Sequence, residues 1–275
     1  MTVANPVAPG IAVFNATTVK SDEEIRRGVA ACSRQLVEHF CPDYSKEGVE
    51  VVFYADKTQI PAGMQTVPIA DRCDEPGALA YHSVGHDGRV TGLVGVLTCE
   101  EDGQRWEPAL SHEALEASFD PWGNKWFDMP DGRTEMAGED ADPVQDQTYE
   151  IDGIPVSNYV LPEWFNPYAP DGAQFDRLGS LSAPFTRTDG GYFITRDARG
   201  KTTTHGVRAK HRCPEGRGAK RAASGRADAL DADTLQALIE QAHADGPAVA
   251  QVVTGTLARL RAARAKAARK GTVAK

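Results

Sequence analysis

The spacing of apolar positions separates this chain into strand-like runs and helix-like stretches. Ile11-Ala-Val-Phe-Asn15 is a short apolar run and predicts a strand. Ser21-Asp-Glu-Glu24 then supplies a helix N-cap with a Glu at the third helical position. Ile25, Val29, Ala30, Cys32, Leu36, Val37 and Phe40 follow near helical spacing, so a helix with one buried stripe is expected, closed by Pro42. Residues 49–56 are rich in β-branched and aromatic side chains and predict a central strand, and 77–83 and 89–98 predict two more joined by a short Gly-containing turn. A helix is expected over 108–119, ending at Asp120-Pro121 because proline disfavours helical geometry in the residue before it. Residues 124–175 are loop-rich and acidic, and 184–196 predicts a hairpin turning at Asp189-Gly190-Gly191. Strands and helices in this order predict an α+β fold.

Beyond residue 200 the pattern changes. Few large apolar residues occur from about 200 to 227, which predicts a flexible linker, and two helices are expected after it, one ending near 244 and one over about 248–269. The expected organisation is therefore a domain at 1–200, a flexible basic linker at 201–227 and a helical basic tail at 228–275. No internal repeat is visible.

Composition sharpens this division. With 41% hydrophobic and 25% charged residues, the 275-residue chain has the make-up of a globular protein able to bury a sizeable core. The net charge of −9 hides an asymmetry: residues 201–275 hold 15 Lys/Arg against 6 Asp/Glu, whereas 1–200 hold 15 against 33. Such a tail suits an anionic partner, either nucleic acid or an acidic protein surface. No signal-peptide pattern opens the chain and no 18-residue apolar window occurs, so a cytoplasmic protein without a membrane span is expected. The five cysteines are scattered and form no C-x-x-C pair, against both a disulfide framework and a cysteine-ligated zinc site. Neither a phosphate-binding G-x-x-x-x-G-K-[ST] nor a Gly-x-Ser-x-Gly nucleophile motif is present.

The most informative stretch is Trp106–Phe119. On a helical wheel His112, Glu113 and Glu116 share one sector, flanked by Leu115 and Phe119 on one side and by Trp106 and Leu110 on the other. Ser111, Ala114 and Ser118 lie opposite, the face expected to meet solvent. Apolar flanks imply that the charged sector points inward, where a carboxylate costs several kcal/mol or more unless it is protonated, paired or bound to a metal. Residues at i and i+4 on one face can chelate one ion, so a cation resolves the conflict.

His112-Glu113-Ala114-Leu115-Glu116 resembles the H-E-x-x-H helix of the zincin metallopeptidases, with Glu in place of the second His. Carboxylate oxygen binds zinc at about the same distance as imidazole nitrogen, so the exchange is chemically allowed. The resemblance covers about 11–142, extending to the 184–196 hairpin. It implies a zincin-like mixed sheet before the active-site helix, with an edge strand lining the substrate cleft. It also implies one Zn2+ held by His112 and Glu116, with Glu113 as general base. In the gluzincin branch the third ligand is a later Glu, followed by an Asp that holds the first zinc histidine. Glu139, 27 residues after His112, fits that place, with Asp142 behind it. The interval between them is one residue shorter than the commonest gluzincin pattern, which leaves open the reverse assignment, with Asp142 as ligand and Glu139 behind it. Ser111–Glu116, Asp120-Pro121 and Trp164-Phe165 are also similar to a pattern in uncharacterised bacterial or phage proteins, which would imply a virion-associated location.

The implied activity is zinc-dependent cleavage of a protein or peptide. The alternative is a zincin-fold structural or interaction protein, catalytically weak or inactive, docking through its basic tail. Calcium is the other cation that the acidic 128–152 run could take, but no EF-hand spacing supports it. Tyr149, Tyr159, Tyr192, His82 and His205 are the candidate donors to a developing oxyanion. Trp122, Trp126 and Trp164 are expected to anchor loops against the core.

Overall fold

The computed structural model describes residues 10–85 and 88–206, which form an α+β fold. β1 (Ile11–Ala16) is central, with Ile11, Ala12 and Val13 buried. The chain leaves it through α1 (Asp22–Arg34), which starts on the expected capping box: Glu24 N–H donates to the Ser21 hydroxyl and Ser21 N–H donates to the Glu24 carboxylate. Beyond Arg34 the helix widens into a π-helical segment, Gln35–Phe40, before one last turn, α2 (Cys41–Asp43). Pro42 lies in this last turn, directly after the π-helical segment, and the helix ends one residue beyond it at Asp43.

β2 (Val51–Tyr54) returns parallel to β1 and, pairing among the described residues with β1 alone, lies at the edge of the sheet rather than at its centre as expected. β3 (Gln65–Thr66) and β4 (Ile69–Ala70) are one strand interrupted at Val67-Pro68, since Ile11 faces Gln65 and Asn15 faces Ile69 in a single register along β1. β5 (Ala80–Val84) and β6 (Val90–Gly95) complete the sheet, with β6 parallel to β3 and β4, and β5 antiparallel to β6 at the edge. The order is β2-β1-β3/β4-β6-β5. The strand expected over 89–98 ends at Gly95, where a Cβ would lie 2.2 Å from the Cys73 amide nitrogen, and the chain turns into α3 (Val96–Glu101).

α4 (Trp106–Phe119) packs against β5, β6 and α1. A Cβ on Gly28 of α1 would approach the Trp106 ring to 2.4 Å, so that glycine permits the close crossing of the two helices. The face carrying Ser111, Ala114 and Ser118 does not meet solvent; all three are buried. The reason is a further layer, the hairpin of β9 (Thr148–Ile151) and β10 (Ile154–Ser157), which lies against α4. Ser111 Oγ donates to Gln35 Oε1 at 2.5 Å and accepts from Ser157 N–H at 2.9 Å, joining α4 to the π-helical segment and to β10.

A second sheet runs β12 (Thr202–His205), β11 (Phe193–Asp197), β8 (Thr134–Ala137), β7 (Trp126–Asp128), antiparallel throughout. The hairpin expected at 184–196 is displaced: β11 pairs with β12 around the Asp197–Lys201 turn. The Asp189-Gly190-Gly191 segment instead docks on the loop after Asp142. Thr188 N–H donates to the Pro143 carbonyl at 3.0 Å, and a Cβ on Gly191 would meet that carbonyl oxygen at 1.9 Å. β12 lies inside the stretch assigned by composition to the linker, because Thr202–His205 completes the edge of this sheet. The rest of that linker and the helices expected over 228–269 lie outside the described residues. Trp164 is fully buried and its indole N–H donates to the Thr186 carbonyl, an anchor as expected, whereas Trp122 is 45% exposed. No helix among the described residues is long and apolar enough to cross a membrane.

Candidate metal centre

Three parts of the fold converge on α4. The helix forms because Trp106, Leu110, Leu115 and Phe119 recur on its core-facing sides, and it ends at Asp120 before Pro121. Its polar sector carries His112, Glu113 and Glu116, with Glu113 and Glu116 buried and His112 half-buried. β5 supplies His82, which shares the inward face with Ala80. The loop after β8 supplies Glu139 and Asp142, both buried, and Asp140 between them. That loop is pinned at both ends: Val160 N–H donates to the Asp140 carbonyl at 2.7 Å and Tyr192 N–H to the Asp142 carbonyl at 3.0 Å.

The donor atoms form two groups that share Glu116. In one, His112 Nε2 stands 3.1 Å from Glu116 Oε1 and 3.3 Å from Asp142 Oδ1. In the other, His82 Nδ1 stands 3.0 Å from Glu113 Oε2 and 3.3 Å from Glu116 Oε2. Within each group one ligand atom from every residue lies within 4.8 Å of the others. Glu139 Oε2 is 3.8 Å from His82 Nε2. Of the two alternatives for a third partner of His112 and Glu116, Asp142 is the one placed beside them, and Glu139 faces His82.

Electrostatics follow from the burial. Burial alone disfavours the charged His112 ring, but Glu116, Asp142 and Glu113 outweigh it and hold the ring well above the ordinary histidine range. Burial, reinforced by the negative charge of Glu116, pushes the Asp140 carboxyl well above the ordinary carboxylate range. A helix interior with this density of carboxylates is unfavourable unless cations or protons offset it.

Of the other oxyanion-donor candidates, Tyr149, Tyr159 and His205 are engaged elsewhere, whereas the Tyr192 backbone adjoins Asp142. Tyr149 OH meets His39 Nδ1 at 2.9 Å and Gln35, with its pKa pushed up to about 12 mainly by burial. Tyr159 OH donates to Asp43 at 2.7 Å, and His205 Nε2 meets Thr195 Oγ1 at 2.8 Å. Tyr192 is buried beside Ala137 and Ile194. His82 is the candidate whose ring the fold sets among the site's carboxylates. Comparison of the chain with protein-family models, with curated proteins and with solved structures returns no match.

Proposed function

We propose that this chain is a zinc-dependent peptidase whose cation is held by His112, Glu116 and Asp142. The convergence of His112 Nε2, Glu116 Oε1 and Asp142 Oδ1 carries the reading. Their separations of 3.1 and 3.3 Å match the edge of about 3.3 Å expected for a tetrahedron with metal–ligand bonds of roughly 2.0–2.1 Å. One imidazole and two carboxylates are a donor set that zinc accepts. Zinc bound there supplies a Lewis acid and lowers the pKa of a coordinated water. Glu113, one residue after His112 on the same helix face, would take that proton through Oε1, while its Oε2 lies 3.0 Å from His82 Nδ1.

The zincin resemblance supports the peptide as substrate. A largely parallel sheet precedes α4, and its antiparallel edge strand, β5, lies against that helix, the place the resemblance gives to a cleft-lining strand. Among the described residues β5 pairs only with β6, so its outer edge suits an extended peptide that adds as a further strand. A second reading draws on burial: the most exposed of the five residues His82, Glu113, Glu116, Asp142 and His112 is His112, with only 14% of its side chain accessible. A closed site of that kind suits a structural cation in an interaction or assembly protein.

The deciding experiment is digestion of an unfolded protein substrate by the full chain, with and without a zinc chelator. Cleavage that stops on chelation, returns with zinc and is absent in Glu113→Gln is expected. A zinc-loaded chain that cleaves nothing, and unfolds when the zinc is removed, overturns the peptidase reading in favour of the structural one.

A further inference from the structure

The geometry points to a second cation site beside the first, formed by His82, Glu113 and Glu116, with Glu116 bridging the two ions. The inference rests on the reading of His112, Glu116 and Asp142 as a cation site, and extends it from one ion to a pair.

Glu116 presents its two oxygens to different imidazoles. Oε1 is 3.1 Å from His112 Nε2, and Oε2 is 3.3 Å from His82 Nδ1. A single ion on the His112 side uses one of these oxygens and leaves the other facing a second imidazole, which itself contacts Glu113 Oε2 at 3.0 Å. These separations again fit the edges of a coordination polyhedron with ligand bonds near 2.0–2.1 Å. A carboxylate shared in this way suits two ions about 3.5–4 Å apart, as in two-metal hydrolytic centres.

His82 provides the second, independent reason. Carboxylate oxygens face both of its ring nitrogens, Glu113 and Glu116 at Nδ1 and Glu139 at Nε2, 3.8 Å away. A neutral imidazole has one N–H and one lone pair. In the neutral ring one side sets a lone pair against carboxylate lone pairs, an arrangement that a cation on the Nδ1 side would convert into ligation, with Nε2–H left to Glu139. This is the arrangement in which a metal-bound histidine gives its other N–H to a carboxylate.

Charge points the same way. Glu113, Glu116, Glu139 and Asp142 are each at most 3% exposed. One divalent ion leaves this group doubly negative, and two bring it to neutrality with both histidines uncharged. With a single imidazole and carboxylate oxygens, the second position suits Mn2+, Fe2+ or Zn2+. Glu113 binds there through Oε2, and the proton-accepting role proposed above stays with Oε1.

The test is equilibrium dialysis of the metal-stripped full chain against Mn2+ and, separately, Zn2+, with bound metal counted per chain by mass spectrometry. Wild type is expected to hold two ions, His82→Ala one, and His112→Ala one. In the Mn2+-loaded wild type, electron paramagnetic resonance is expected to show an exchange-coupled pair rather than isolated Mn2+. One ion in wild type, uncoupled and unchanged in His82→Ala, overturns the second site while leaving the first intact. No bound ion in wild type overturns both. If His82→Ala does not fold, the wild-type count and spectrum decide alone.

Discussion

Replacing Glu116 by Gln separates metal ligation from ordinary packing, because the side chain keeps its volume but loses its charge and exchanges one acceptor oxygen for an NH2 donor. Glu116 is fully buried and shared between His112 and His82. If the site binds zinc, free zinc at one hundred times Kd stabilises the folded chain by about 2.7 kcal/mol. For a folded region of this size, about 2–4 °C per kcal/mol converts that into a rise in Tm of roughly 5–11 °C. Glu116→Gln is expected to lose most of this rise. The metal-free proteins should behave in the opposite sense. Two like charges about 4 Å apart interact by roughly 4 kcal/mol at an effective dielectric near 20, and partial compensation by the histidines reduces this without reversing it. Removing one buried carboxylate thus relieves repulsion, and metal-free Glu116→Gln should melt at or above metal-free wild type. Scanning calorimetry of both proteins, in chelator and in zinc, reads all four values. An unchanged zinc shift in the variant refutes the ligand role. A metal-free variant that melts well below metal-free wild type, with no zinc shift in either, makes Glu116 a plain structural acceptor.

Three further outcomes are expected. Glu113→Gln should retain the ion held by His112, Glu116 and Asp142 while abolishing hydrolysis, since it removes the proton acceptor and none of those three ligands; zinc content and peptide cleavage measured on one preparation check this. Gly191→Ala should weaken zinc binding from a distance, because its Cβ would meet the Pro143 carbonyl at 1.9 Å and displace the loop that begins at Asp142, and zinc affinity equal to wild type would contradict it. Truncation after residue 206 should leave a cooperatively folding protein, whereas truncation after 200 removes β12, exposes the edge of β11 and should lower Tm or cause association; equal melting of the two truncations would show that β12 contributes nothing.

Much of this was legible in local sequence patterns, and the failures have physical causes. The Ser21/Glu24 cap, the start of α1, the strands β1, β2, β5 and β6 and the charged helix at 106–119 depend on short-range spacing, which the sequence displays directly. By contrast β3 and β4, and β7 to β10 inside the stretch expected to be loop-rich, are short strands defined by their pairing. The solvent-facing assignment of Ser111, Ala114 and Ser118 failed because small residues serve equally for an exposed face and for close packing, and only the tertiary position of β10 decides between them. Asp189-Gly190-Gly191 has hairpin-turn chemistry, but the same small residues allow a loop to dock on the Pro143 carbonyl. His82 was visible only as one of several oxyanion-donor candidates. Nothing in its spacing from residues 112–116 links it to α4; the available signal was a polar ring in phase with Ala80 on the inward face of a strand. The choice between Glu139 and Asp142 depended on the path of a loop, which no periodicity encodes.

The proposed cation position lies between α4 and the loop bearing Asp142. Anomalous X-ray diffraction from crystals of the full chain grown with zinc, recorded on both sides of the zinc absorption edge, tests it most directly. An edge-specific peak is expected within about 2.0–2.2 Å of His112 Nε2, Glu116 Oε1 and Asp142 Oδ1. No peak there, with His112 instead hydrogen-bonded directly to Glu116 and Asp142 in zinc-saturated crystals, would contradict it.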